Sequence, residues 1–136
     1  MRLKMIRLSK PNPENLFSNY ENQLETQYSF STSDARALFE RSKDALLQIV
    51  EDEIRNYIED DDLCSDEEGM FPKRSVLTGE WYLRAVAFED GVLRMETALL
   101  GTDLGYKDDY FGLDLFFRLD DEQNGFVFDW INSSAL

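Results

Sequence analysis

The spacing of the apolar residues changes along this chain, and that change constrains the fold more than any other feature. Between residues 34 and 59 apolar residues recur three and four positions apart, which places them on one face of an α-helix. From residue 80 onward they alternate in period two, as in β-strands. Because the helical half precedes the strands rather than alternating with them, the pattern predicts an α+β domain.

The predicted main helix covers residues 34–59. Ser31 followed by Asp34 is typical of a capping box at a helix start, and Thr32 and Ser33 are alternative N-caps. At the other end, consecutive acids oppose the helix dipole, so the helix is expected to stop near Asp60. The face expected to pack on the sheet comprises Ala35, Leu38, Phe39, Leu46, Ile49, Val50, Tyr57 and Ile58.

Two hairpins are predicted in the second half. Residues 80–89 and 92–100 flank Asp90-Gly91, a strong signal for a two-residue hairpin turn, and residues 111–119 and 126–131 form the second pair. On the first strand, alternation places Trp81, Leu83, Ala85 and Ala87 on one face, and Tyr82, Arg84, Val86 and Phe88 on the other. Leu93, Met95, Thr97, Leu99, Leu113, Leu115, Phe117 and Leu119 form the apolar side of the next two strands. The expected fold is a long amphipathic helix packed on an antiparallel meander sheet of four to five strands.

The length of 136 residues corresponds to a single domain, residues 1–136. Within it, residues 1–30 are expected to supply an edge strand and a short helix or packed loop, since Leu16, Tyr20, Leu24 and Tyr28 lie four apart. Residues 60–72 form an acidic loop, and residues 74–132 form the sheet. No signal-peptide core or run of 18 apolar residues occurs, and the single cysteine, Cys64, suits a reducing compartment, so a cytoplasmic location is expected.

The absence of histidine removes several classes of chemistry. Ser-His-Asp and Cys-His nucleophile systems and His-ligated zinc all need an imidazole, and the chain has none. Cys64 lies among acids, which raise the pKa of a thiol and suppress the reactive thiolate. We therefore expect no enzymatic activity, no catalytic residues and no cofactor.

Two acidic patterns are candidates for metal or carboxylate chemistry. Residues 120–125 resemble the first half of a calcium loop, but the twelfth position is Ile131 instead of a bidentate Glu, so the pattern favours a hairpin turn and no metal site. Asp114 and Asp129 each interrupt an apolar strand and could face each other as in a glycosidase, with Arg84, Arg94 and Arg118 in reach. Solvent-facing alternation on an antiparallel sheet accounts for the same pattern and is favoured.

The charge distribution is the remaining functional signal. With 28 acidic and 14 basic residues the formal net charge is −14, which disfavours nucleic acid and membrane surfaces as partners and favours a basic protein. The acids concentrate at the end of the main helix and in the hairpin loops, beside aromatic residues that can anchor a partner. The predicted partner-binding residues are Asp60, Asp61, Asp62, Asp66, Glu67, Glu68, Asp103, Tyr106, Asp108, Asp109 and Tyr110.

Size, charge and the lack of catalytic groups together resemble the profile of bacterial immunity or inhibitor proteins. Such a protein neutralises a basic toxin, for example a nuclease, by occluding its active site, as a monomer or a homodimer. A small acidic secretion chaperone and a DNA-mimic regulator are the alternative binding functions, and a carboxylate-dependent enzyme is the last alternative. A chaperone would be a stable homodimer that binds extended effector segments.

Overall fold

The computed structural model describes residues 26–60, 62–63, 81–99 and 111–135. In chain order these form β1 (Gln27–Phe30), α1 (Ser33–Glu59), β2 (Trp81–Glu89), β3 (Val92–Leu99), β4 (Phe111–Asp120) and β5 (Gly125–Ala135). The strands form one sheet in the order β1-β2-β3-β4-β5. β2 to β5 are an antiparallel meander, whereas β1 is parallel to β2. The α+β class is therefore confirmed, but the sheet is mixed and not purely antiparallel.

Residues 27–30 form a strand, where the spacing of Leu24 and Tyr28 had suggested a helix or loop. Tyr28 and Phe30 alternate with polar neighbours, and both rings contact Phe39 of α1, with centroids 6.0 and 5.5 Å away. In a strand of only four residues, the alternation of polar and apolar side chains is too short to be recognised from the sequence. A parallel neighbour also needs a long crossover, which α1 and the residues after it supply. The predictions for residues 1–25, 64–80 and 100–110 lie outside the described residues.

The start of α1 is set by Thr32, the alternative N-cap, and not by Ser31. The Ala35 N–H donates to Thr32 Oγ1 at 3.2 Å. Ser31 instead follows directly on β1, and its N–H donates to the Phe88 carbonyl at 3.1 Å, which adds a hydrogen bond to the pairing of β1 with β2. The helix ends at Glu59 with Asp60 as its C-cap, which confirms the expected stop. No helix in the described ranges combines the length and apolar character needed to cross a membrane.

The core lies between α1 and one face of the sheet. The helix contributes most of its predicted apolar face to this core, together with Ile54. The strands contribute five fully buried side chains: Leu93, Met95, Leu113, Leu115 and Phe117. Thr97 is also fully buried on this face, and its Oγ1 donates to the Leu113 carbonyl at 2.7 Å. Leu119 departs from the prediction, since it is exposed at the end of β4.

A β-bulge in β2 changes which of its side chains face the helix. The ladder with β3 shifts between Leu83 and Ala85, so Arg84 has no directly opposite residue. Trp81 and Leu83 before the bulge, and Val86 and Phe88 after it, all belong to the core. The predicted strict alternation is therefore wrong for the second half of β2. One extra residue in the strand moves every later side chain to the opposite face of the sheet from the one that strict alternation predicts.

A second bulge occurs between β4 and β5. Phe116 lies opposite Trp130 while Phe117 lies opposite Phe128, which leaves Asp129 as the extra residue. Phe128 and Ile131 consequently both pack against the core. We call the sheet face turned away from α1 the outer face; it carries the residues that alternate with the core positions of β3 and β4.

Candidate partner-binding surface

Asp60 and Asp62 are the predicted partner-binding residues that the structure describes. They lie just beyond the last turn of α1, where both are exposed and the Asp62 N–H donates to Asp60 Oδ1 at 2.8 Å. The remaining predicted residues lie outside the described ranges: Asp61, Asp66, Glu67, Glu68, Asp103, Tyr106, Asp108, Asp109 and Tyr110. Binding through them stays a prediction.

Two hairpin turns meet at the end of the sheet where α1 begins. Asp90 and Gly91 both have positive φ, 53° and 79°, as a primed two-residue turn requires, and the turn predicted for them is confirmed. The Leu119 N–H donates to the Gly91 carbonyl at 3.0 Å and joins the end of β4 to this turn. The strand register therefore places the β2–β3 and β4–β5 turns side by side.

The turn between β4 and β5 is organised by Asp120. Its Oδ1 accepts the N–H groups of Glu122 and Gln123 at 3.0 and 3.2 Å, and Asn124 adopts a positive φ of 49°. A side chain that bonds the backbone two and three residues on is typical of a tight turn. The prediction of a hairpin turn here is confirmed. Among the described residues no group of three or more acidic, cysteine or histidine side chains is arranged to hold a metal ion.

A groove of about 610 Å³ lies between the first turns of α1 and the two hairpin turns; we call it the turn groove. Its apolar floor comes from α1 and the strand ends, and includes Leu38, Phe88 and the exposed Leu119. The full lining is Thr32, Asp34, Ala35, Ala37, Leu38, Arg41, Phe88, Gly91, Leu119, Asp121 and Asn124.

Exposed carboxylates from two separate parts of the chain line the turn groove. They are Asp34 in the first turn of α1 and Asp121 in the β4–β5 turn. Arg41 is the basic side chain in the lining. The sequence marked the segment 120–122 as acidic but could not join it to Asp34, since only the strand register and the helix start bring these residues together.

The outer face carries a cluster of charges at its centre. Arg84 Nη2 lies 3.5 Å from Glu96 Oε2, and Arg94 Nε lies 3.1 Å from Glu96 Oε1. Asp114 is directly opposite Glu96 on β3 and opposite Asn132 on β5. The suggested facing of Asp114 and Asp129 is thus wrong, because the bulge removes Asp129 from the ladder.

Burial raises the pKa of Asp114, and the neighbouring Glu96 carboxylate raises it further, while Arg94 and Arg84 oppose the shift. A cavity of about 310 Å³ lies beside this cluster, lined by Ala87, Glu89, Asp90, Val92, Arg94 and Phe116. Its lining includes neither Glu96 nor Asp114. The two carboxylates are therefore held in a charge network on the sheet, beside this cavity and not in its lining.

Replacing Asp114 by Asn is expected to stabilise the protein at neutral pH. A carboxyl with a higher pKa in the folded than in the unfolded state binds its proton more readily when folded, so its ionisation costs stability as pH rises above the ordinary 3.8. Asp114→Asn removes that cost. Urea unfolding at pH 7 should give a higher free energy of unfolding for the variant than for the wild type. This difference should vanish below pH 3.8.

The matched control is Asp129→Asn, at the exposed bulge position, which should change the free energy of unfolding by less than about 0.5 kcal/mol at either pH. A pH-independent loss of stability in Asp114→Asn would contradict the assigned cost of ionisation.

Two aromatic rings extend the charge cluster of the outer face. Phe116 and Trp130 stack with centroids 4.3 Å apart and planes 6° from parallel. Trp130 remains 48% exposed and Val92 42% exposed, whereas Tyr82 and Ala98, farther along the same face, are buried. The outer face is therefore exposed around Trp130 and Val92 and buried around Tyr82 and Ala98.

Comparisons with known proteins gave no match to this chain. No protein-family model matches the chain, and neither a curated protein nor a solved structure is similar to it. The geometry of the described surfaces is therefore the basis on which a function can be proposed.

Proposed function

We propose that this chain is an acidic, non-enzymatic binding protein that neutralises a basic toxin, such as a nuclease, by occluding its active site. The observation that carries the proposal is the turn groove, where exposed acids from two chain segments, Asp34 and Asp121, line a groove with an apolar floor. Lys and Arg side chains that bind phosphate in a nuclease would pair with the carboxylates. The apolar floor, including Leu119, would contact the centre of the partner's site.

Electrostatic attraction supports the same proposal. A net charge of −14 attracts a basic protein over distances longer than any direct contact. Complementary charge of this kind raises association rates to ~10⁸ M⁻¹s⁻¹ or more at low salt, and added salt weakens it. A toxin inhibitor gains from fast association, because the toxin acts until it is bound.

The end of α1 is a second part of the proposal. Asp60 and Asp62 lie at the opposite end of the helix from the turn groove, ~40 Å along its axis. They are the described members of the partner-binding residues predicted from the sequence, and they form a candidate acidic site separate from the turn groove. A small toxin need contact only one of the two sites, and variants of the turn groove test whether the groove is that site.

The experiment uses the product of the reading frame adjacent to this one as the probe. That product is expected to be basic and toxic on expression, and co-expression of this chain should restore growth. The purified pair should form one complex whose affinity falls at least tenfold between 50 and 300 mM NaCl. A harmless neighbour, or a complex insensitive to salt, would contradict the proposal.

A charge-matched pair of triple variants locates the binding surface. Asp34→Asn, Asp121→Asn and Glu122→Gln remove three exposed charges, two from the lining of the turn groove and one next to it in the β4–β5 turn. The control removes three exposed charges elsewhere: Glu40→Gln, Asp44→Asn and Asp129→Asn. The groove variant should lose at least thirtyfold in affinity and the control less than threefold. Equal losses would exclude the turn groove as the specific contact.

The alternative binding functions give different results with the same material. A secretion chaperone would bind extended effector segments and would not restore growth against a folded toxin. A DNA-mimic regulator would compete with duplex DNA for a DNA-binding protein, and short duplexes added to the complex would displace it.

A further inference from the structure

We propose that the outer face of the sheet is the interface at which a second copy of this chain docks. We define the outer patch as Val92, Arg94, Glu96, Asp114, Phe116, Arg118 and Trp130. The inference goes beyond toxin binding and uses different residues from those that line the turn groove.

The outer patch is locally balanced in charge. The chain as a whole has two acids for every base, yet β3 and β4 direct Arg94 and Arg118 outward together with Glu96 and Asp114. Two copies of net charge −14 repel each other, so they can associate only where their contacting surfaces are locally balanced. The outer patch is such a surface.

The outer patch is also self-complementary. Glu96 already lies beside two arginines, which leaves little to attract a basic partner. The Arg94 and Arg118 side chains nevertheless keep 47% and 57% of their surface exposed. Across a two-fold axis each guanidinium can meet a carboxylate of the second copy, because such an interface brings the same patch together from both sides.

The apolar part of the outer patch supplies an anchor. Trp130 is 48% exposed although its ring is held flat against Phe116, and Val92 beside the adjoining cavity is 42% exposed. Trp and Arg are the residues most often found at the energetic centres of interfaces. A tryptophan fixed by stacking loses little side-chain entropy on binding, which favours its use as an anchor.

The test is sedimentation equilibrium of the full chain at 20 and 500 mM NaCl. A dimer through the outer patch should become at least fivefold tighter at the higher salt, because salt screens the long-range repulsion between two copies of net charge −14 and screens the close ion pairs within a buried contact much less. A complex with a basic toxin has the opposite salt dependence. Failure of the dimer and failure of the proposed function are thus distinguishable.

Three variants locate the contact. Trp130→Ala should weaken self-association at least tenfold, and so should Val92→Lys, which leaves the Phe116–Trp130 stack in place and adds a charge to each copy of the patch. Leu63→Ala is the control, since it removes an equally exposed apolar side chain beyond α1 and should change nothing. A monomer at both salt concentrations, or a dimer that neither outer-patch variant weakens, would overturn the proposal.

Discussion

Deletion of Arg84 is expected to lower the free energy of unfolding by about 3 kcal/mol or more, whereas Arg84→Ala should cost about 1 kcal/mol or less. Arg84 is the extra residue of the β2 bulge. Side chains alternate strictly between the two sheet faces along a strand without a bulge. Without Arg84, the core residues before the bulge and those after it can therefore no longer all face α1.

The size of the effect follows from the side chains that would change faces. Trp81 is fully buried and Leu83 nearly so, and each contributes ~1.5–3 kcal/mol by burial. Deletion would turn both toward the outer face and would bring Tyr82 into the core, where its hydroxyl needs a new hydrogen-bond partner. If the strand slipped the other way, Val86 and Phe88 would leave the core instead.

Urea unfolding of the two variants against wild type measures this difference. Arg84→Ala keeps the backbone length and removes the side chain with its partly exposed ion pair to Glu96, so it separates the bulge from the side chain. A deletion variant as stable as Arg84→Ala would show that the extra residue is not what sets the facing of β2.

The helix and the hairpins could be predicted because each has a local physical cause. The apolar spacing of residues 34–59 specifies one buried face, and Asp90-Gly91 specifies a turn that few other dipeptides form as readily. These causes act within a few residues, so they are visible in the sequence without knowledge of the fold.

The facing of β2 could not be predicted, because both of its alternating sets contain large apolar residues. Trp81 and Phe88 fall in opposite sets, yet both are buried on the same side through the bulge. The N-cap was ambiguous for a similar reason. Ser31 and Thr32 are both suitable caps, and the tertiary hydrogen bond from the Ser31 N–H to Phe88 decides between them.

The surfaces depend even more on tertiary structure. Asp34 and Asp121 are far apart in sequence and border one groove only because the β4–β5 turn packs beside the start of α1. Glu96, which nothing in the sequence singled out, is the residue opposite Asp114. The sequence revealed where acids are dense, but not which of them share a surface.

Phe39→Ala is expected to lower the free energy of unfolding by about 3–5 kcal/mol, a large part of the stability of a domain of this size. Phe39 is fully buried, and its ring contacts both Tyr28 and Phe30 of β1. Since β1 has only four residues and, among the described strands, borders β2 alone, these contacts are a large share of what holds it to the described part of the domain.

The same substitution should loosen β1 before the rest of the sheet. Hydrogen exchange of the β1 amides should speed up at urea concentrations where β3 and β4 remain protected, and Phe39→Leu, which keeps most of the volume, should show a much smaller effect. Uniform acceleration throughout the sheet would contradict a special role of Phe39 at β1. Because β1 leads directly into Thr32 and the lining of the turn groove, Phe39→Ala should also weaken the toxin binding proposed for the groove more than Phe39→Leu does.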